Sequence, residues 1–349
     1  MAETLDNSHW IEWVESLMGG VSPAAGSRLT ADATLPPDRY YCLLDELPLH
    51  LIPQSVRTQP SAGESTRELF LNPACEILDG SRLPEELAGQ NEPFSAFALQ
   101  GSIAWVRDSA ECLLPFWLGK RTRSLLSGLQ PGQKIARGHP AAAIQRLFAA
   151  GILISQKQNT GTRRREKLEF TSPMFRDRGY APLPRLIHPF HVAALRRYYR
   201  YLIRVGRIPL GDGQSAHRYV AYNEPVARFF HRQLTPIVCE VVGEPIKPSY
   251  VYLASYLGGA QLPKHTDREQ CEFSVTFCLD FSPEPRAATP WPIQLETADG
   301  IVKVYQGLGD GLAYRGTRLP HFRQALGRAQ TSTSIFFHYV AADFRGSLD

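Results

Sequence analysis

The sequence predicts an α+β protein whose C-terminal part is an antiparallel β sandwich or barrel, and three observations predict it. Two long segments, His188 to Arg204 and Asn223 to Val242, carry apolar residues at helical spacing. From Ser249 the period falls to two, with Tyr250, Tyr252, Ala254 and Tyr256 alternating with Val251, Leu253 and Ser255. Strand-like runs then follow, separated by glycine, proline and aspartate: Cys271 to Leu279, Pro292 to Glu296, Ile301 to Tyr305, Gly311 to Arg315 and Ser332 to Val340. Many short strands with turn residues between them indicate a closed or doubled antiparallel sheet.

The earlier elements are less regular. Trp10, Trp13, Val14 and Leu17 have helical spacing, and Tyr40 to Leu44 reads as a short strand. Ser102 to Val106 is a further strand candidate, and Leu113 to Leu129 has a helical apolar rhythm closed by Gln130-Pro131-Gly132. His139-Pro140 opens a helix with the stripe Ile144, Leu147 and Phe148, which Gly151 ends. Ile152 to Gln156 and Lys167 to Phe170 flank a turn at Asn159-Thr160-Gly161, predicting a hairpin with Arg163, Arg164 and Arg165 at its tip. This order matches a winged-helix-like module, and it equally matches a helical subdomain packed on the C-terminal β domain. It also resembles the small peptide-recognition domains related to the quinone-cofactor peptide chaperone family. Three units are therefore expected: an irregular α/β segment over 1–100, this module over 101–172, and the β domain over 173–349.

The chain of 349 residues is 43% hydrophobic and 21% charged, which supports a full core and excludes a natively unfolded polymer. Residues 1–100 hold 15 acids against 5 bases, and the remainder holds 19 against 33. Between Lys157 and Arg207, 13 bases meet only Glu166, Glu169 and Asp177. Such a face suits an acidic partner, whether nucleic acid, an acidic peptide or the N-terminal segment, or it is simply solvated. The six cysteines form no Cys-x-x-Cys pair, which argues against a structural zinc site and for reduced thiols. No signal-peptide pattern opens the chain, and Ala141 to Ile154 falls short of the ~20 apolar residues of a membrane span. A soluble, cytoplasmic protein with no membrane partner is expected; its oligomeric state has no sequence signal.

The chemistry concentrates in Leu262-Pro263-Lys264-His265-Thr266-Asp267. Side chains two apart on an extended segment share a face, so His265 and Asp267 can project together. His321 lies 54 positions after Asp267, beyond a strand-like run. Two imidazoles and one carboxylate on one face of a metal leave three coordination positions open, a donor set suited to Fe(II). Arg323, two residues past His321, shares its face by alternation.

This His-x-Asp…His arrangement in a β domain resembles the 2-oxoglutarate and Fe(II)-dependent oxygenase superfamily, near its prolyl 4-hydroxylase-like branch. The resemblance runs from about Tyr222 to Val340 and rests on Tyr256 to Asp267, Gly309 to Gly316, Leu319 to Arg323 and Ser334 to Val340. It implies a double-stranded β-helix (jelly-roll, cupin-like) with flanking helices, and His265, Asp267 and His321 as both metal ligands and catalytic centre. It implies Fe(II), 2-oxoglutarate and O₂ as cofactor and cosubstrates, with hydroxylation of an unactivated C–H bond and release of succinate and CO₂. Halogenation is not expected, because Asp267 occupies the third ligand position.

Members usually carry Arg or Lys about ten residues past the second histidine to grip the distal carboxylate of 2-oxoglutarate. Here that place holds Gln330 and Thr331. Arg323 is the preferred substitute, with Arg328 second, while Tyr256 and Ser334 are candidates to hydrogen-bond the cosubstrate. Arg268 is expected to orient Asp267 from behind. The substrate expected is a peptide or protein side chain. The alternatives are a small molecule, or a nucleic-acid-binding regulator whose β domain is degenerate.

Overall fold

A computed structural model describes residues 35–56, 68–108, 111–136, 138–155 and 171–349. The helix expected around Trp10 to Leu17 and the basic hairpin tip with its return strand lie outside these residues. The N-terminal part carries β1 (Leu69–Leu71), β2 (Cys75–Asp79), β3 (Ser102–Arg107), β4 (Leu113–Leu118), α1 (Lys120–Leu126), α2 (Ala141–Ala149) and β5 (Leu153–Ser155). Strands β2, β3 and β4 form one antiparallel sheet that runs across residue 100, and β5 pairs with β1.

Two sequence expectations fail here. Leu113 to Leu118 is a strand, and the helix is confined to α1. All six residues of β4 are buried, so the run presents no polar face whose period could be read. Pro115 is tolerated because β4 is an outer strand of the three. Tyr40 to Leu44 makes only isolated bridges, Tyr40 to Phe97 and Leu43 to Trp117. Its burial comes from aromatic contacts, with Tyr40 packing edge-on against Phe97, Trp117 and Tyr198.

Next come β6 (Tyr180–Leu183), α3 (Pro189–Arg204), β7 (Arg218–Tyr222) and α4 (Pro225–Val242). Both helices start with proline at the first position behind a capping side chain. His188 accepts from the Phe190 N–H and Glu224 from the Ala227 N–H. Glu224 also accepts the hydroxyls of Tyr198 and Tyr199, tying α3 to the start of α4. Gly243, at φ 81°, ends α4 in the left-handed region where glycine carries no Cβ penalty.

The remaining strands are β8 (Ile246–Tyr256), β9 (Leu262–His265), β10 (Phe273–Ser282), β11 (Ile293–Thr297), β12 (Gly300–Val304), β13 (Gly311–Arg315), β14 (His321–Arg323) and β15 (Thr331–Ala341). They form a six-stranded sheet, β6-β13-β10-β15-β8-β7, and a four-stranded one, β12-β11-β14-β9. All of the pairings are antiparallel.

Alternation then sorts the side chains. Val251, Leu253, Val275, Phe277, Ile335 and Phe337 join one apolar cluster with α3 and α4 on the outer face of the large sheet. The neighbouring positions Ala254, Tyr256, Cys278 and Phe336 face inward and cluster with Trp291 and Leu326. Leu312 and Tyr314 of the large sheet pack with Ile293 and Leu295 of the small one, which joins the two layers.

A buried ion network pins this core to the N-terminal part. Arg196 bonds Asp280, Glu284 and the Leu51 carbonyl, and Arg200 also bonds Asp280. None of the six cysteines forms a disulfide, and burial pushes the thiols of Cys42, Cys75, Cys271 and Cys278 up to about 12. No helix among the described residues is long and apolar enough to cross a membrane.

Candidate metal centre and its chamber

β9 ends at His265 and β14 begins at His321, and the register sets these two residues opposite each other. Their ring centroids are 4.3 Å apart. Asp267 follows two residues on, its N–H donating to the Gly316 carbonyl at 2.9 Å. Its Oδ1 lies 3.6 Å from His265 Nε2 and 3.5 Å from His321 Nε2. One donor atom from each residue therefore falls within 4.8 Å of the other two.

The ring orientations are held from behind. Nδ1 of His265 meets the Pro263 carbonyl at 2.8 Å, and Nδ1 of His321 meets the Leu319 carbonyl at 3.0 Å. A carbonyl can only accept, so each Nδ1 donates to it, which turns each Nε2 toward Asp267 Oδ1. Burial would raise the Asp267 carboxyl, but hydrogen bonds to His265 and His321 outweigh it and hold the group well below the usual carboxylate range. The same bond to Asp267 raises His265 above its ordinary value, against the opposing effect of burial. The spot favours positive charge.

Glycine is required nearby. A Cβ on Gly316 would lie 2.3 Å from the Cys271 carbonyl oxygen and 2.4 Å from Asp267 Oδ2. The far oxygen of Asp267 accepts from Ser274 Oγ at 2.8 Å, and that hydroxyl lies 2.9 Å from Nδ1 of His338. Burial holds His338 down at about 4, so it is neutral near pH 7 and its Nδ1–H donates to the serine. Ser274, rather than Arg268, thus orients Asp267. It was missed because a lone serine carries no motif, although its inward position on β10 follows from the alternation. Ser274→Ala is expected to weaken divalent-metal affinity by about 10–100-fold with the fold intact, as read by calorimetric titration with Mn(II).

Beside the three groups lies a chamber of about 470 Å³, walled by Arg218, Tyr250, Tyr252, Tyr256, Tyr314 and Phe336 among others. Each of these is an inward position of β7, β8, β13 or β15. Arg218, which sequence reasoning did not single out, is buried and paired: it donates to Asp212 at 2.6 Å and to Gln214 at 2.7 Å. Asp212 also accepts the Tyr252 hydroxyl at 3.0 Å.

Arg323 lies behind this wall. Its guanidinium is buried 4.7 Å over the Trp291 ring, donating to the Trp291 carbonyl at 2.6 Å and weakly to Gln306. Among the described residues it has no carboxylate partner, and burial pushes its pKa down. Tyr256 lines the chamber and packs edge-on, at 5.2 Å, against Trp291, the ring over which Arg323 lies.

Of the other sequence candidates, Ser334 is buried between Ala254 and Cys278 in the sheet register and does not line the chamber. Arg328 is exposed in the turn after β14, too well solvated to serve as a buried anchor. Arg268 is an exposed residue at the chamber wall, its guanidinium 4.5 Å over the Tyr250 ring. The main chain turns it toward that ring and not back to the carboxylate.

No family model and no curated protein matches the chain. Solved structures with some likeness include the non-heme alpha ketoglutarate dependent epimerase SnoN from nogalamycin biosynthesis, with 13% identity and a TM-score of 0.43 over 51% of this chain and 82% of that one. AviO1 from Streptomyces viridochromogenes shows 19% identity and a TM-score of 0.42, over 51% of this chain and 97% of its own. A Pseudomonas putida prolyl-4-hydroxylase shows 16% and 0.41, over 51% of this chain and 100% of its own.

Proposed function

We propose that the protein is an Fe(II)- and 2-oxoglutarate-dependent oxygenase that hydroxylates an unactivated C–H bond. The observation that carries this reading is the convergence of two imidazole Nε2 atoms and one carboxylate oxygen within 4.8 Å of one another at the wall of a chamber. The donor set fits a divalent iron ion: borderline imidazoles and a hard carboxylate, with both ring orientations held by backbone carbonyls. His265, Asp267 and His321 would hold the metal. When bound, Fe(II) with 2-oxoglutarate and O₂ supplies the oxidation, R–H becoming R–OH as the keto acid yields succinate and CO₂.

The chain's own residues do the rest. Arg323 offers a buried guanidinium with no carboxylate of its own, which suits the distal carboxylate of the cosubstrate. It reaches the space between the sheets from β14, where the usual basic residue would come from the start of β15. The Tyr256 hydroxyl, with Arg218 and Arg323 as its charged neighbours, would add a hydrogen bond to the same cosubstrate. The tyrosine and phenylalanine wall would position the reacting carbon beside the metal centre.

The chamber volume of about 470 Å³ suits one side chain of a peptide or protein together with the keto acid. The test is succinate formation by purified protein against a peptide library, with Fe(II), O₂ and 2-oxoglutarate each omitted in turn. Dependence on all three is expected. Turnover with any divalent metal and without O₂ would sink the reading.

A further inference from the structure

We propose that Arg268, stacked on Tyr250 at the chamber mouth, binds a carboxylate of the primary substrate, whose ring-bearing body lies on the tyrosine wall. This rests on the oxygenase reading, because it takes the chamber to be the place where substrate meets the metal centre.

Charge points to an anion. Among the residues lining the chamber, Asp267 is the one acid, and its charge is committed to the metal centre. Arg218 is already neutralised by Asp212 at 2.6 Å. Arg323 lies behind the wall, where the cosubstrate's distal carboxylate would meet it. Arg268 remains. Its partners among the described residues are the Tyr250 hydroxyl, at 3.4 Å, and the Cys271 thiol, both neutral. Loaded with a divalent cation and the keto acid dianion, the Asp267 and Arg323 charges balance, and Arg268 stands over as one unmatched cation.

Geometry adds the second half. Tyr250 is held in place, its hydroxyl 3.1 Å from Cys271 Sγ and its ring 4.6 Å from the His338 ring. The guanidinium over its face is thereby fixed in direction, with its edge free to take both oxygens of a carboxylate. Beside it, the Tyr222 and Tyr252 rings lie 4.6 Å apart, and Tyr222 is 58% exposed although it stands on a strand of the core sheet. A half-exposed aromatic surface continuous with the chamber suits a flat or cyclic group. A carboxylate next to a ring is the chemistry both features share. Two sources offer it: a free small acid, and the C-terminal residue of a peptide.

The experiment is equilibrium binding, by calorimetry without O₂, to protein loaded with Fe(II) and saturating 2-oxoglutarate. The probes are 3-phenylpropanoate and its amide, and N-acetyl-L-phenylalanine and its amide. Each acid is expected to bind about fivefold more tightly than its amide, the size of a partly exposed charge pair. Arg268→Gln should erase that preference while leaving amide affinity unchanged, and Arg268→Lys should keep part of it. Preference confined to the N-acetyl pair identifies a peptide terminus, and preference in both pairs a small acid. Equal affinity of acid and amide for the wild type overturns the proposal, as does an unchanged ratio in Arg268→Gln. Succinate formation is read separately on the same preparations. Its failure counts against the oxygenase, whereas failure of acid selectivity with turnover intact counts against the role of Arg268 alone.

Discussion

His321→Ala is expected to abolish tight divalent-metal binding and, with it, succinate formation. The loss should exceed the roughly 10–100-fold attached to residues that merely orient ligands. His321 is 2% exposed and is one of the three proposed donors, and Asp267 Oδ1 lies 3.5 Å from its Nε2. Removing it leaves a carboxylate and one ring, a pair that no longer encloses one face of a cation. The fold should survive, because the imidazole bonds its own chain at Leu319 and the neighbouring Asp267, and Tyr314 beside it remains packed at the sheet interface. Mn(II) titration followed by electron paramagnetic resonance reads binding directly, with circular dichroism as the control for folding. Wild-type metal affinity in the variant would remove His321 from the centre.

Arg323→Met is expected to split stability from cosubstrate affinity. The wild-type guanidinium is buried, and no carboxylate among the described residues balances it. An unpaired buried charge is costly, and a side chain of similar volume without charge is neutral or stabilising. The unliganded variant should therefore melt at the same temperature as the wild type or higher. Affinity for 2-oxoglutarate should fall by about 2–5 kcal/mol, some thirtyfold or more, because a buried charge-assisted contact is lost. Thermal melts with and without 2-oxoglutarate check both signs, since a ligand at 100 times its Kd stabilises by about 2.7 kcal/mol. A variant that is destabilised when unliganded yet stabilised normally by 2-oxoglutarate would make Arg323 a structural residue.

Much of the β domain was legible in advance because period two is a local property. Gly311–Arg315 matches its predicted bounds, and Thr331–Ala341 extends the predicted run by one residue at each end. The inward set of β8 is the alternating tyrosine series. Helices α3 and α4 were equally legible, each marked by an apolar stripe. β4 was not, since complete burial erases the polar face that betrays a strand. Strands β9 and β14, of four and three residues, are too short to show a period. Only their pairing with each other and with β11 makes them strands.

The candidate centre divides in the same way. His265 and Asp267 share a face by spacing, and Arg323 shares one with His321, so these pairs are properties of the chain itself. That His321 stands opposite His265 depends on a register between strands 56 positions apart, which only the folded sheet provides. Ser274 behind Asp267, the pairing of Arg218 with Asp212, and the rotation of Arg268 onto Tyr250 rather than Asp267 all belong to tertiary structure. Sequence determines which groups a short segment can present together, because backbone geometry repeats every two residues or every turn. Which distant segment completes the set is decided by packing, because contacts between remote residues leave no period in the chain.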